Sequence, residues 1–236
     1  KEAFQTDPQT LEQELKNYLR HSAFPLQVIG LRQGIRPRVN LTSTAMSEAE
    51  ARAYLGDLLL HTDRLREASE VLEQALALSP QLALAHESLG IVRVKQKRFG
   101  EAIEHLRRAQ AANPANYLTH YYHAFALSRS GMDDDLTVTV YDPKVADTMR
   151  AELRRSIELN PEFPESYVLL AFVNLVQEER LDESTDPVRH ALSLAPGRDD
   201  YVFVLAQLYM RKQDFITARQ VLTPMLRENA EETTRK

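Results

Sequence analysis

The sequence predicts an all-α array of stacked helix pairs, and three observations carry that reading. First, Pro80, Pro114 and Pro161 close near-identical phrases: Ala-Leu-Ser-Pro, Ala-Ala-Asn-Pro and Glu-Leu-Asn-Pro. The first two stand 34 residues apart, and a fixed period of that length marks a repeat architecture. Second, strong helix formers dominate, with only 7 Gly among 236 residues, which favours helix throughout. Third, small residues recur in register. Gly56, Gly90, Ala124, Ala171 and Ala206 fall where the first helix of a pair meets the second, and Ala68, Ala102 and Ala218 answer them from the second helix. Larger Leu and Phe side chains fill the space between adjacent pairs.

Residues 1–48 precede the array and do not fit the period. Asp7-Pro8 followed by Leu11, Leu15 and Leu19 predicts a capped amphipathic helix,. Residues 25–31 and 38–42 read as extended. Ser47, with Glu50 three residues on, is placed to cap the first repeat helix,. The array then covers 49–232. Unit one, 49–82, has Leu55-Gly56 in its first helix, Ala68, Leu72 and Ala75 in its second, and Pro80 at its close. Unit two, 83–116, repeats the layout without a gap through Leu89-Gly90, Phe99, Ala102, Leu106, Ala109 and Pro114. These prolines fall just past a helix C-terminus, where a residue unable to continue the helix does no harm.

Unit three, 117–163, is longer. Gly131 ends its first helix, and the second is predicted from Ala146 to Leu159. Between them lies an insertion of about 13 residues relative to the period, within 132–145. Residues 137–141 alternate polar and apolar with β-branched side chains, an extended pattern. The insertion is either a solvated loop or a flap that narrows one face of the array. Unit four, 164–198, carries Asp186-Pro187 inside its expected second helix. A late start, with Asp186 as N-cap and Pro187 at the first helical position, accommodates the proline. Unit five, 199–232, matches through Leu205-Ala206, Tyr209, Phe215, Ala218 and Leu222. Pro224 is then predicted to interrupt its second helix, and the polar residues 228–236 to fray.

Composition excludes several function classes. Lys+Arg total 29 against Asp+Glu 34, so no basic excess exists to neutralise phosphates, and nucleic-acid binding is disfavoured. The absence of Cys rules out disulfides, thiolate chemistry and Cys-ligated zinc. No apolar run reaches the roughly 20 residues needed to cross a bilayer as a helix. The start at Lys1 without Met is expected of a piece of a longer protein,. There is no Gly-rich phosphate loop and no Gly-x-Ser-x-Gly nucleophile setting. His120 and His123 lie three apart on one helix, a spacing that suits one metal, but no third ligand is evident beside them. His86 and His120 both take the fourth position of their units, which points to packing. Neither catalytic residues, nor a metal, nor a cofactor are expected.

The repeated layout, with Leu-Gly in the first helix, spaced Ala and a bulky residue in the second, and a terminal Pro, resembles the tetratricopeptide repeat (TPR) family. The resemblance covers about four-fifths of the chain. It implies a right-handed superhelical solenoid of helix pairs whose concave groove holds peptides or partner proteins. A second resemblance is to bacterial proteins in which such an array follows a peptidase MA-like (gluzincin) domain. It is carried by Ala3-Phe4-Gln5-Thr6-Asp7, Leu11-Glu12-Gln13-Glu14-Leu15, Tyr18-Leu19, His120-Tyr121-Tyr122 and Met149-Arg150-Ala151-Glu152-Leu153. The zinc motif His-Glu-x-x-His is absent from the chain, so no peptidase residue is carried over.

In the TPR family, chosen positions of each first helix line the groove. Carried over, they give Ile91, Val94 and Lys95 in unit two, Tyr121, Phe125 and Arg129 in unit three, Val168, Phe172 and Leu175 in unit four, and Phe203, Met210 and Arg211 in unit five. The face is apolar in its middle and C-terminal part, a sign of an interaction site, with Lys95, Arg129 and Arg211 as cations at the rim. One subset of the family clamps a peptide carboxylate with Lys, Asn and Arg. Here those places hold Ala53, Asp57, Glu87, Ile91, Tyr121 and Phe125, so that clamp is not expected. The groove either holds a partner segment or is filled by the insertion or by residues 25–31. The expected function is a non-catalytic protein-interaction scaffold; the alternative is a substrate-recruiting domain of a larger metallopeptidase-like enzyme.

Overall fold

The computed structural model describes Thr10, residues 45–130 and residues 140–234, with side chains described through Met225. The helix and extended stretches expected before residue 43, and most of the insertion, lie outside the described residues. Ten helices follow one another from residue 48, and no strand occurs among the described residues. They pair as five units: α1 (Glu48–His61) with α2 (Leu65–Leu78), α3 (Ala83–Lys95) with α4 (Phe99–Ala112), α5 (Tyr117–Ser130) with α6 (Pro143–Leu159), α7 (Pro164–Gln177) with α8 (Thr185–Leu194), and α9 (Asp199–Arg211) with α10 (Phe215–Thr234).

The chain order of contacts makes this a solenoid. Each helix packs on the next, and each first helix also packs on the first helix of the following unit, from α1·α3 to α7·α9. Second helices make no such contacts with one another. The stack therefore curves, with α1, α3, α5, α7 and α9 on its inner side.

Local chemistry sets the boundaries. Ser47 and Glu50 form a reciprocal capping box at α1, the Glu50 amide donating to Ser47 Oγ and the Ser47 amide to the Glu50 carboxylate at 2.9 Å,. Four first helices end on a residue in the left-handed region: Asp63, Lys97, Glu178 and Gln213. At Lys97 the chain closes with Lys97 N–H donating to Val94 O and Arg98 N–H to Arg93 O, the paired bonds of a Schellman motif. Small residues do set the approach within pairs. A Cβ on Gly56 would lie 2.4 Å from Leu72 Cγ, and one on Gly90 2.7 Å from Leu106 Cγ.

Three expectations are corrected. The second helix of unit three begins at Pro143, not Ala146, because Asp142 accepts from the Lys144 and Val145 amides as N-cap,. In unit four the late start holds, but Ser184 is the N-cap position and Pro187 the third helical residue. A proline there has no intrahelical N–H to lose. In unit five the helix runs through Pro224 to Thr234. One missing backbone bond does not end a helix that stays continuous on both sides of it.

Candidate functional site

Among the described residues, hollows lie on the inner side of the stack. The first, about 200 Å³, lies among α5, α7 and α9. Tyr121, Phe125 and Arg129 stand one turn apart along α5 and so share a face,. Val168 and Phe172 do the same on α7, and Tyr201 and Val204 close the space from α9. The aromatic wall is held by ring contacts: Tyr121 meets Phe163 edge-on at 5.0 Å and Phe125 at 6.1 Å. The guanidinium of Arg129 lies 5.1 Å above the Phe125 ring, and that of Arg198 4.2 Å above Tyr201, cation–π geometry that fixes both arginines along the wall.

The rim is charged and balanced. Arg198 pairs with Asp200 at 2.7 Å and reaches Glu165 at 3.4 Å. Burial pushes the Tyr121 hydroxyl far above the ordinary phenol range. Burial and then the Glu165 carboxylate push Tyr201 up to about 12. Both phenols are therefore neutral donors at physiological pH. The Tyr201 hydroxyl is buried beside the Glu165 carboxylate.

Of the residues assigned from sequence, the first hollow collects Tyr121, Phe125, Arg129, Val168 and Phe172. Leu175, Met210 and Arg211 line the second, about 340 Å³, together with Gln207 and Phe215. Phe203 is exposed and borders neither. Ile91 and Val94 are buried in the core. Lys95 pairs with Asp63 at 3.0 Å, and Arg211 with Glu178. In each case the acid sits in the turn of the preceding unit. Glu165, Leu169, Arg198, Asp200, Tyr201 and Val204 were not assigned from sequence. They come from the start of α7 and α9, or from positions that face the preceding first helix. A hollow between two neighbouring first helices is lined by the groove positions of one and the leading edge of the next. The aromatic Tyr201 near a helix start was the available signal.

His86 and His120 tie their units to the close of the preceding one. His86 Nε2 donates to Pro80 O and His120 Nε2 to Pro114 O, each at 3.0 Å, and the Tyr167 hydroxyl donates to Pro161 O at 3.1 Å. The fourth residue of a unit thus latches the proline that closes the one before. His120 and His123 also bracket Glu152, with Nδ1 to carboxylate distances of 2.5 and 3.2 Å. Among the described residues, no group of three or more His, Asp or Glu side chains could hold a metal ion, and no helix is long and apolar enough to cross a membrane.

Comparison with known proteins agrees with this geometry. Residues 49–82 match the family model of the tetratricopeptide repeat, the interval assigned to unit one. No curated protein matches the chain in sequence. Among solved structures, YrrB, described as a TPR protein with an unusual peptide-binding site, aligns with TM-score 0.60 at 21% identity over 74% of this chain and 83% of its own. MamA from Desulfovibrio magneticus RS-1 aligns with TM-score 0.64 at 16% identity, over 80% and 98% respectively. PilF of Pseudomonas aeruginosa aligns with TM-score 0.59 at 21% identity, over 75% and 74%. At these identities the likeness is one of fold. The described residues from Glu48 to Thr234 have the helical-repeat fold of TPR proteins.

Proposed function

We propose that the array is a non-catalytic scaffold that holds a segment of a partner protein in the apolar groove on its inner side. The observation that supports this is the hollow at Tyr121, Phe125 and Phe172, where three first helices from three units leave an aromatic recess open to solvent. At about 200 Å³, it has room for one large apolar side chain. Pocketed anchors of this kind dominate the energetics of interfaces, and an aromatic or long aliphatic residue of the partner fits the walls. The balanced rim of Arg129, Arg198, Glu165 and Asp200 adds direction without net charge. The peptide-binding description of YrrB, a protein of the same fold, is in keeping with this reading. Lys95 and Arg211 are already engaged by Asp63 and Glu178, so their part is to order the turns that frame the groove.

The test is selection of a random peptide display library on the purified chain. The expected outcome is enrichment of peptides that share one large apolar residue, with binding lost in the Phe125→Ala plus Phe172→Ala double variant while its helical circular dichroism is retained. No enrichment, or enriched peptides that bind the double variant equally, overturns the assignment. If the double variant unfolds, Ser128→Trp, which fills the recess instead of emptying it, provides the same readout.

A further inference from the structure

Among the described residues, the charged side chains lining the recess are Arg129, Glu165, Arg198 and Asp200. They balance in sum but are not mixed in space. Both carboxylates belong to the first turns of α7 and α9. Arg198, the N-cap residue of α9, lies between them. It grips Asp200 through two bonds, Nε to Oδ1 at 2.9 Å and Nη2 to Oδ2 at 2.7 Å, and reaches Glu165 only at 3.4 Å. One guanidinium between two carboxylates leaves a negative charge over at this end. Arg129 stands in the last turn of α5. Tyr121, two turns before it, meets the ring of Phe163, the N-cap residue of α7. At a rise of 1.5 Å per residue, Arg129 therefore lies about 12 Å further along the recess.

The surplus charge sits on Glu165. Its carboxylate faces the aromatic wall: burial first, and then this charge, raise the phenols of Tyr122 and Tyr201. Arg198 is held back from it by Asp200 and by the Tyr201 ring, 4.2 Å below the guanidinium. Glu165 is half-buried, where a charge is screened less than on open surface. A cation brought beside it is attracted, and an anion repelled. We infer, resting on the reading that the recess holds a partner segment, that this segment carries a basic residue beside its apolar anchor, on the side facing the first turns of α7 and α9, where Glu165 receives it. The carboxylates that line the recess stand at one end only, so the base has one place to go and the segment lies in one direction.

Selection from the random peptide display library, read for charge as well as for the anchor, tests this. Lys or Arg is expected at one fixed spacing on one side of the apolar residue. The same selection on Glu165→Lys is expected to place Asp or Glu there instead. In a synthetic copy of the most enriched peptide, replacing the base by Ala should weaken binding about fivefold, the upper range for a half-exposed ion pair. Against Glu165→Gln the same replacement should change little. Circular dichroism of both variants is expected to match wild type, and Glu165→Gln alone suffices if the charge reversal unfolds. Apolar peptides without a fixed base overturn the inference and leave the peptide reading standing. So does a base whose removal costs as much against Glu165→Gln as against wild type. No enrichment at all, the result if the chain's own insertion or a second copy fills the recess, overturns both.

Discussion

Two aligned positions show how one residue changes the charge state of a repeat. His105 on α4 and Glu152 on α6 occupy the same place in their units, each facing the histidine that latches a terminal proline. Opposite His105, His86 donates to Pro80 O through Nε2, so its Nδ1 is an acceptor and the pair is neutral. Burial, then the neighbouring His86, lowers His105 to about 4. Opposite Glu152, His120 Nε2 donates to Pro114 O and Nδ1 lies against the Glu152 carboxylate, which favours the protonated ring. Its hydrogen bond to Glu152 raises the His120 pKa. For Glu152, burial acts upward, but the hydrogen bonds from His120 and His123 outweigh it and hold the carboxyl at about 2. A raised histidine contributes stability in full below its unfolded value of about 6.5, lost as pH rises through the folded value. A depressed carboxylate contributes above about 4.5 and is lost as pH falls through the folded value. The pair therefore contributes most between those limits. Glu152→Gln is expected to cost about 2 kcal/mol near pH 5.5 and less near pH 8.5. Denaturant unfolding at the two pH values checks this; an equal loss at both shows that the contact is packing alone. The same alignment was invisible in the sequence, because the insertion shifts Glu152 out of the 34-residue register.

At the scale of the element, the close approach within each pair depends on small residues. A methyl group on Gly90 would meet the branch point of Leu106 at 2.7 Å, an atom that cannot move without shifting a fully buried side chain. Gly90→Ala gains about 1 kcal/mol of helix propensity and loses about 1–3 kcal/mol to overpacking. The expected net result is a destabilised protein, read as a lower denaturation midpoint at unchanged slope; a stabilised one shows that α3 and α4 can separate freely. Glycine at the turns was a poorer guide. The left-handed residues that close the first helices are Asp63, Lys97, Glu178 and Gln213, none of which advertises a turn. The helix starts suffered similarly. Asp142 caps α6 ahead of the predicted start because its carboxylate reaches two amides, and an aspartate in a long insertion is indistinguishable from any loop aspartate until the chain beyond it is helical.

For the whole molecule, stability is a sum of units and the contacts between neighbours. Two buried arginines reinforce those contacts: Arg93 reaches Glu73 at 2.6 Å across the α2·α3 boundary, and Arg150 reaches Glu179 at 2.7 Å across the α6·α7 boundary. Units with a neighbour on both sides are held at two interfaces, the terminal ones at one. Amide hydrogen exchange is therefore expected to be slowest in α3 to α7 and faster toward α1 and α10. Uniform protection from α1 to α10 overturns this expectation. The sequence by itself determined the helix pairs, their period and the tight contacts at Gly56 and Gly90, because those depend on neighbours at fixed spacing along the chain. The tertiary structure alone decided the recess at Tyr121, Phe172 and Tyr201, the pairing of Lys95 and Arg211, and the partnership of His120 with Glu152. Each of these depends on how far one unit is rotated against the next, and that angle is set by packing between side chains many residues apart.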